Sequence, residues 1–292
     1  MVRLSYYRMV MKKIVLMLSV LLLVACERVE VGDVLVNDSV FQNVTLHVGS
    51  SSSSVMGTRT DVPLSDVCGR LNVAVFDTAG QKVKTVAQVV SDAGYGTVSM
   101  SLADGKYTVV VIGHNCTGSA TITNAEKVTF PGNKVTDTFY YCGSLEVTGE
   151  RQDVNISLQR AVAMIRLRLT DDAAALANVA QLKFYYLGGS STFSPLAGFG
   201  CVNSKQTEYR VLSADGVYEL FTLPHSDIDA ITKMTVTALD AGDNVVGEFT
   251  MENVPVSVNK VTNCTGSFSS GAGKVDVTIT VDPDWDGDFE FL

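Results

Sequence analysis

The sequence predicts an all-β protein, and three observations carry that prediction. Val, Thr, Leu, Ile and Tyr alternate with polar residues through most of the chain. Gly, Asp and Asn punctuate these runs at short intervals, where tight turns need left-handed backbone or side chains that bond their own main chain. Helical composition is confined to one short alanine-rich stretch.

The elements follow in order. Phe41 to Val48 is the first expected strand. The serine run Ser50 to Ser54, continuing to Pro63, reads as a loop. Leu71 to Phe76 is a strand closed by the turn Asp77-Thr78-Ala79-Gly80, and Val83 to Val90 and Thr97 to Leu102 follow it. Ala103-Asp104-Gly105 is a tight-turn signal leading into Lys106 to Ile112, which is apolar on both faces as a central strand should be. Thr138 to Thr148 and Asp153 to Leu158 bring this set to about seven strands, enough for one β-sandwich.

Ala161 to Leu169 opens a second set with clean alternation, Met164, Arg166 and Arg168 against Ile165, Leu167 and Leu169. Asp171-Asp172 followed by Ala173 to Ala177 is the one expected helix, capped by the aspartates and carried by alanine propensity. Expected strands then run over Gln181 to Leu187, Val217 to Leu223, Met234 to Asp240, Val245 to Met251, Asn263 to Phe268 and Lys274 to Val281. Two sets of strands around two cores predict an N-terminal sandwich over 41–159 and a C-terminal sandwich over 160–292. They abut near Gln159-Arg160 with almost no linker. Val73, Val75, Val109, Val111, Ile165, Leu167, Val236 and Phe268 are the expected core residues.

The N-terminus carries an address. Lys12 and Lys13 precede the apolar run Ile14 to Val24, and Leu23-Val24-Ala25-Cys26 closes it. A basic segment, a short apolar segment and a small residue before cysteine form the pattern of a bacterial lipoprotein signal, with Cys26 taking the lipid. The run is shorter than the roughly 20 residues a membrane-spanning helix needs. Met11-Lys12-Lys13 makes a more compact start than Met1. Residues 1–25 are therefore expected to be removed and 26–40 to act as a tether, and acyl chains to hold the protein in the outer membrane. Glu27 and Glu30 loosely resemble surface-export signals.

The formal charge is −9, and removing 1–25, with Arg3, Arg8, Lys12, Lys13 and no acids, takes it to −13. So acidic a chain argues against nucleic acid and against electrostatic membrane binding, which leaves attachment to the lipid. With Cys26 spent, Cys68, Cys116, Cys142, Cys201 and Cys264 are an odd set without CxxC spacing. They read as small buried apolar residues rather than a metal or redox site, although an exported chain can form one or two disulfides.

Chemistry is hard to find. His47, His114 and His225 are far apart and lack metal-ligand spacing. No nucleophile elbow, P-loop or dinucleotide fingerprint occurs. No catalytic residue and no cofactor is therefore expected. Asp282, Asp284 and Asp286 with Gly287 match the first half of a calcium loop. The bidentate acid of that loop would fall at 293, however, and Pro283 stiffens the turn. An acidic turn with Trp285 as a packing or contact anchor fits better. Four Asn-X-Ser/Thr triplets fit strand and turn composition.

Several segments together resemble the FimB/Mfa-type anchor-subunit family of Bacteroidetes fimbriae. They are Leu71 to Asp77 with Gly80, Leu102 to Val111, Asp137-Thr138-Phe139, and Leu158 to Ala163. Asn259-Lys260-Val261-Thr262 through Gly266-Ser267-Phe268, and Val281 to Trp285, complete the set. The resemblance implies two transthyretin-like, Greek-key sandwiches in tandem and a lipid-held base subunit. Its implied partner is a fimbrial shaft pilin, joined by strand addition to an exposed sheet edge. Polymerising relatives lose an N-terminal strand by cleavage after an arginine. Arg28 and Arg59 stand in that region, and Arg59 is read as a loop residue because an anchor needs no cut. The terminal segment, with Trp285, Phe289, Phe291 and Leu292, alternates polar with apolar and is the expected pilin contact. The rival reading is a surface glycan-binding lipoprotein of a nutrient-uptake system, for which one Trp offers a thin platform.

Overall fold

A computed structural model describes residues 42–50, 63–269 and 279–282. Cys26, Glu27, Arg28, Glu30, Arg59 and every residue after Asp282 lie outside them. The described chain is all-β, as expected, with nineteen strands, a single four-residue α-turn, α1 (Leu64–Val67), and a 3-10 turn (Pro131–Asn133).

In the first half, β2 (Arg70–Phe76) pairs antiparallel with β3 (Lys82–Val89) and with β5 (Gly105–His114), and β5 pairs with β8 (Thr138–Val147). β8 meets β9 (Gln152–Arg160) through two residue pairs, Phe139↔Arg160 and Tyr140↔Gln159. β9 then carries β1 (Val44–Ser50) in parallel, and β1 carries β4 (Thr97–Met100). The sheet order is β3-β2-β5-β8-β9-β1-β4. The brief β8–β9 join acts as a corner. Val44, Leu46, Met100, Ile156 and Leu158 beyond it pack against Leu71, Val73, Val75, Val109 and Val111 before it. A sheet folded over so that its inner faces meet is a sandwich.

β5 is apolar on both faces because both are covered. Val109 and Val111 face the sandwich core, while Val110 and Ile112 face a separate cluster with Ala74, Phe76, Ile122, Val128 and Phe130. That cluster is roofed by β6 (Thr121–Asn124) and β7 (Lys127–Thr129), which leave and rejoin the chain between β5 and β8.

In the second half, β10 (Ala163–Leu169) lies between β15 (Val217–Thr222), antiparallel, and β18 (Val261–Gly266), parallel, with β19 (Ile279–Asp282) beyond β18. The facing sheet has β11 (Gln181–Leu187) between β14 (Lys205–Val211) and β16 (Asp229–Leu239), with β17 (Val245–Val256) outermost. Ile165, Leu167 and Leu220 meet Leu182, Phe184 and Val236 between the sheets, and Phe268 packs at the margin.

A fourth sheet belongs to both halves. β12 (Thr192–Ser194) and β13 (Phe199–Gly200) extend β7 and β6 in the order β13-β12-β7-β6. Phe193 of β12 is fully buried and stands edge-on to Tyr140 of β8, with ring centroids 4.7 Å apart. At β13, Gly200 lets the backbone pass close to Leu223, since a Cβ there would lie 2.7 Å from the Leu223 carbonyl oxygen.

One expectation is corrected. Residues 173–178 form turns, not a helix. Leu176 N–H reaches Asp172 O at 3.2 Å, but Ala177 and Val179 bond three residues back, to Ala174 and Leu176. Asp172 does cap, accepting from Ala175 N–H at 2.8 Å. Asp171 is spent elsewhere, on Phe268 N–H at 2.9 Å and on the hydroxyls of Ser267 and Ser269 at 2.8 and 2.7 Å. Burial, the largest single effect, pushes its carboxyl up, but those bonds together hold it below the usual range. A segment of this length has no surplus with which to nucleate a helix while its ends are fixed by strands.

Candidate functional site

The junction is built around Arg160, the last residue of β9. Its Nε and Nη2 donate to Oδ1 and Oδ2 of Asp137 at 2.8 and 3.1 Å, and Nη1 donates to Asn259 Oδ1 at 2.9 Å. The guanidinium lies over the Phe139 ring, 4.8 Å from its centroid. One side chain thus ties the β8 approach to the β17–β18 turn, where Asn259 sits at φ 57° and donates its N–H to Val162 O at 2.9 Å. Burial pushes the Asp137 carboxyl up, and the Arg160 fork opposes it without reversing it.

Beside the junction a cleft of about 790 Å³ opens between the halves. Asn115, Thr136 and Asp137 wall it on one side, and Arg210, Val211, Asp215 and Glu219 on the other. Each charged wall residue has a partner. Glu219 accepts from Arg166 Nε and Nη2 at 3.0 and 2.8 Å, and Arg210 donates to Glu208 at 2.6 Å. Glu208 also accepts the Tyr186 hydroxyl at 2.9 Å. Asp215 is held by the Ser213 hydroxyl and Val217 N–H, which lower its carboxyl.

The histidines are satisfied separately. His47 is exposed, 3.2 Å from Asp153. His225 Nδ1 lies 2.8 Å from Asp229 and Nε2 lies 3.1 Å from Val202 O. His114 is buried and bonded to Asn72. The five described cysteines are all free. Burial raises every one of their thiols, and it carries Cys68 to about 11 and Cys264 to about 12, which leaves those two without the thiolate a nucleophile requires. Cys68, Cys116 and Cys264 are the buried apolar residues expected, whereas Cys201 is exposed. Among the described residues no cluster of His, Cys, Asp or Glu could hold a metal ion.

Of the residues singled out in the sequence, Cys26, Asp284, Asp286, Trp285, Phe289, Phe291 and Leu292 lie outside the described residues. Asp282 closes β19 opposite Val261. The cleft was not foreseen. Its walls come from residues 115 to 221, and no local signal joins them.

The described body is all-β, with the charges of its cleft paired and its histidines bonded separately. The chain belongs to the family of fimbrillin-A associated anchor proteins Mfa1 and Mfa2, whose model matches residues 38–287. That is a family of anchor-type structural proteins of fimbriae, not of enzymes.

Among solved structures the chain is similar to a candidate polysaccharide-binding protein from Bacteroides thetaiotaomicron VPI-5482 (TM-score 0.54, 11% identity, 82% of this chain and 96% of that one). It is also similar to a candidate adhesin from the same organism (TM-score 0.52, 13% identity, 84% and 96%) and to one from Bacteroides ovatus (0.51, 12%, 82% and 93%). At such identities the likeness is one of fold. No curated protein matches by sequence.

Proposed function

We propose that this protein is a lipid-anchored fimbrial anchor or accessory subunit that attaches a pilus shaft to the outer membrane by pairing strands with a pilin. The observation that carries the reading is the anchor-family match over 38–287, which covers both halves. Cys26 behind the apolar run supplies the lipid in this proposal, and the halves act as two domains, 41–159 and 160–292, braced by Arg160. The rigid bracing suits a subunit that bears load between membrane and shaft.

The lipid is tested with Cys26→Ala. Release of the variant into periplasm or medium is the expected result, and persistence in the detergent phase counts against acylation. The role of Phe289, Phe291 and Leu292 is tested by deleting 288–292, and that of Trp285 by Trp285→Ala. Loss of shaft binding in a folded protein supports contact, whereas retained attachment removes the segment from the mechanism.

A glycan-binding reading draws on the printed description of one structural neighbour. Among the described residues Tyr209 is the single strongly exposed aromatic, so the stacked platform typical of glycan recognition has one ring. Retention on a glycan array is the result that would favour it.

A further inference from the structure

Sheet edges are templates for other chains, and most edges here are blunted. β4 has four residues and β13 has two. β3 carries Lys82 and Lys84 and a register shift at its end, and β17 contains Pro255, a left-handed Asn253 and another shift. β15 is closed at both ends, by Asp215 on Val217 N–H and by the Ser190↔Leu223 bridge.

β14 differs. Its seven residues pair with β11 from Gln181↔Val211 to Leu187↔Lys205 without a shift. Gly188 N–H bonds Ser204 O, so the ladder alternates with 206, 208 and 210 turned toward β11. The main-chain groups of Lys205, Thr207, Tyr209 and Val211 therefore face outward, and among the described residues no backbone bond takes them up. Tyr209 and Val211 are 55% and 79% exposed, and Val211 leads into the cleft.

The surrounding charge is asymmetric. On the outer sheet face Lys183 stands opposite Tyr209 and Lys205 opposite Leu187, while Lys233 on β16 lies directly across from Glu252 of β17, with Glu248 farther along that strand. A basic margin on a chain of net charge −9 complements an acidic partner.

We propose that the β14 edge is a docking site for an extended polypeptide segment of another protein, added as a further strand and carrying acidic side chains on its outer face. Main-chain pairing supplies the affinity, and Lys183 and Lys205 select the acidic segment. The proposal deepens the fimbrial reading and rests on it only for the partner's identity, a segment of the shaft pilin.

The test uses the full-length exported protein and two labelled peptides, one alternating Glu with Val and one alternating Lys with Val, in fluorescence anisotropy at low salt. The Glu peptide should bind and the Lys peptide should not. Thr207→Pro removes one outward N–H while sparing the β11 ladder, and should weaken binding at least tenfold. Lys183→Glu with Lys205→Glu, which alters side chains alone, should reverse the preference. Equal binding of both peptides to the wild type, or undiminished binding to a Thr207→Pro protein that melts like wild type, overturns the site. In a second arm, shaft subunit captured equally by wild type and Thr207→Pro also overturns the site and leaves the fimbrial reading standing. No shaft capture by wild type counts against the fimbrial reading, and the peptide arm then decides the edge.

Discussion

His114 Nε2 lies 2.9 Å from Asn72 Oδ1, and this buried pair fixes the root of the excursion that joins the two halves. Cys116 N–H donates to His114 Nδ1 at 3.1 Å, so Nδ1 is an acceptor and the ring proton sits on Nε2. Asn72 Oδ1 accepts that proton and also Ala120 N–H at 2.9 Å. The arrangement requires a neutral ring, because a second proton would destroy the acceptor for Cys116. β6 and β7 leave from this point and meet β12 of the other half.

The first prediction concerns pH. Burial, with a smaller contribution from Arg70, lowers His114 from 6.5 to about 4. Between those values the unfolded chain binds more protons than the folded one. The stability from the neutral ring is complete above pH 6.5 and falls as pH drops toward 4, by at most about 3 kcal/mol. Urea midpoints at pH 7, 5.5 and 4.5 should show a steeper decline for wild type than for His114→Gln. Parallel curves contradict the assignment.

Phe193→Ala should cost about 3–5 kcal/mol, since it empties a fully buried site against Tyr140. Denaturant unfolding measures it, and a loss below about 1 kcal/mol would mean that the shared sheet does not brace the halves.

Arg160→Ala should destabilise by about 3 kcal/mol by leaving Asp137 half-buried and unpaired. Arg160→Met combined with Asp137→Leu should recover most of that loss. Equal losses for the single and double variants would show that packing on Phe139, not the ion pair, holds the junction.

The thiols should divide by exposure. A disulfide reagent at pH 8 should label Cys201 quickly, whereas Cys68 and Cys264, raised to about 11 and 12, stay unlabelled until the chain unfolds. Rapid labelling that survives Cys201→Ser contradicts the burial pattern.

The legible parts of the fold are those with apolar residues at every inward position. β2, β5, β10 and β11 were all expected, and Val109, Val111, Ile165 and Leu167 are buried as expected. β14 escaped notice because its inward residues are Gln206 and Glu208, which look like surface. β6, β7, β12 and β13 are two to four residues long and exist because the halves meet, a tertiary cause with no local trace. The alanine stretch misled because propensity is weak beside the strand-end bonds that claim Asp171. The sequence leads one to expect a join near Gln159-Arg160, but the reach of Arg160 to Asp137 and Asn259 needed coordinates, as did the cleft.

The account rests on this chain holding a fimbrial shaft, and one measurement addresses that directly. The native protein is captured from detergent-solubilised outer membrane of its own host, and bound proteins are identified by mass spectrometry. A fimbrial shaft subunit recovered in near-equal amount, and lost when the host's shaft gene is deleted, is the predicted result. Capture of the protein alone from fimbriated cells would contradict the account.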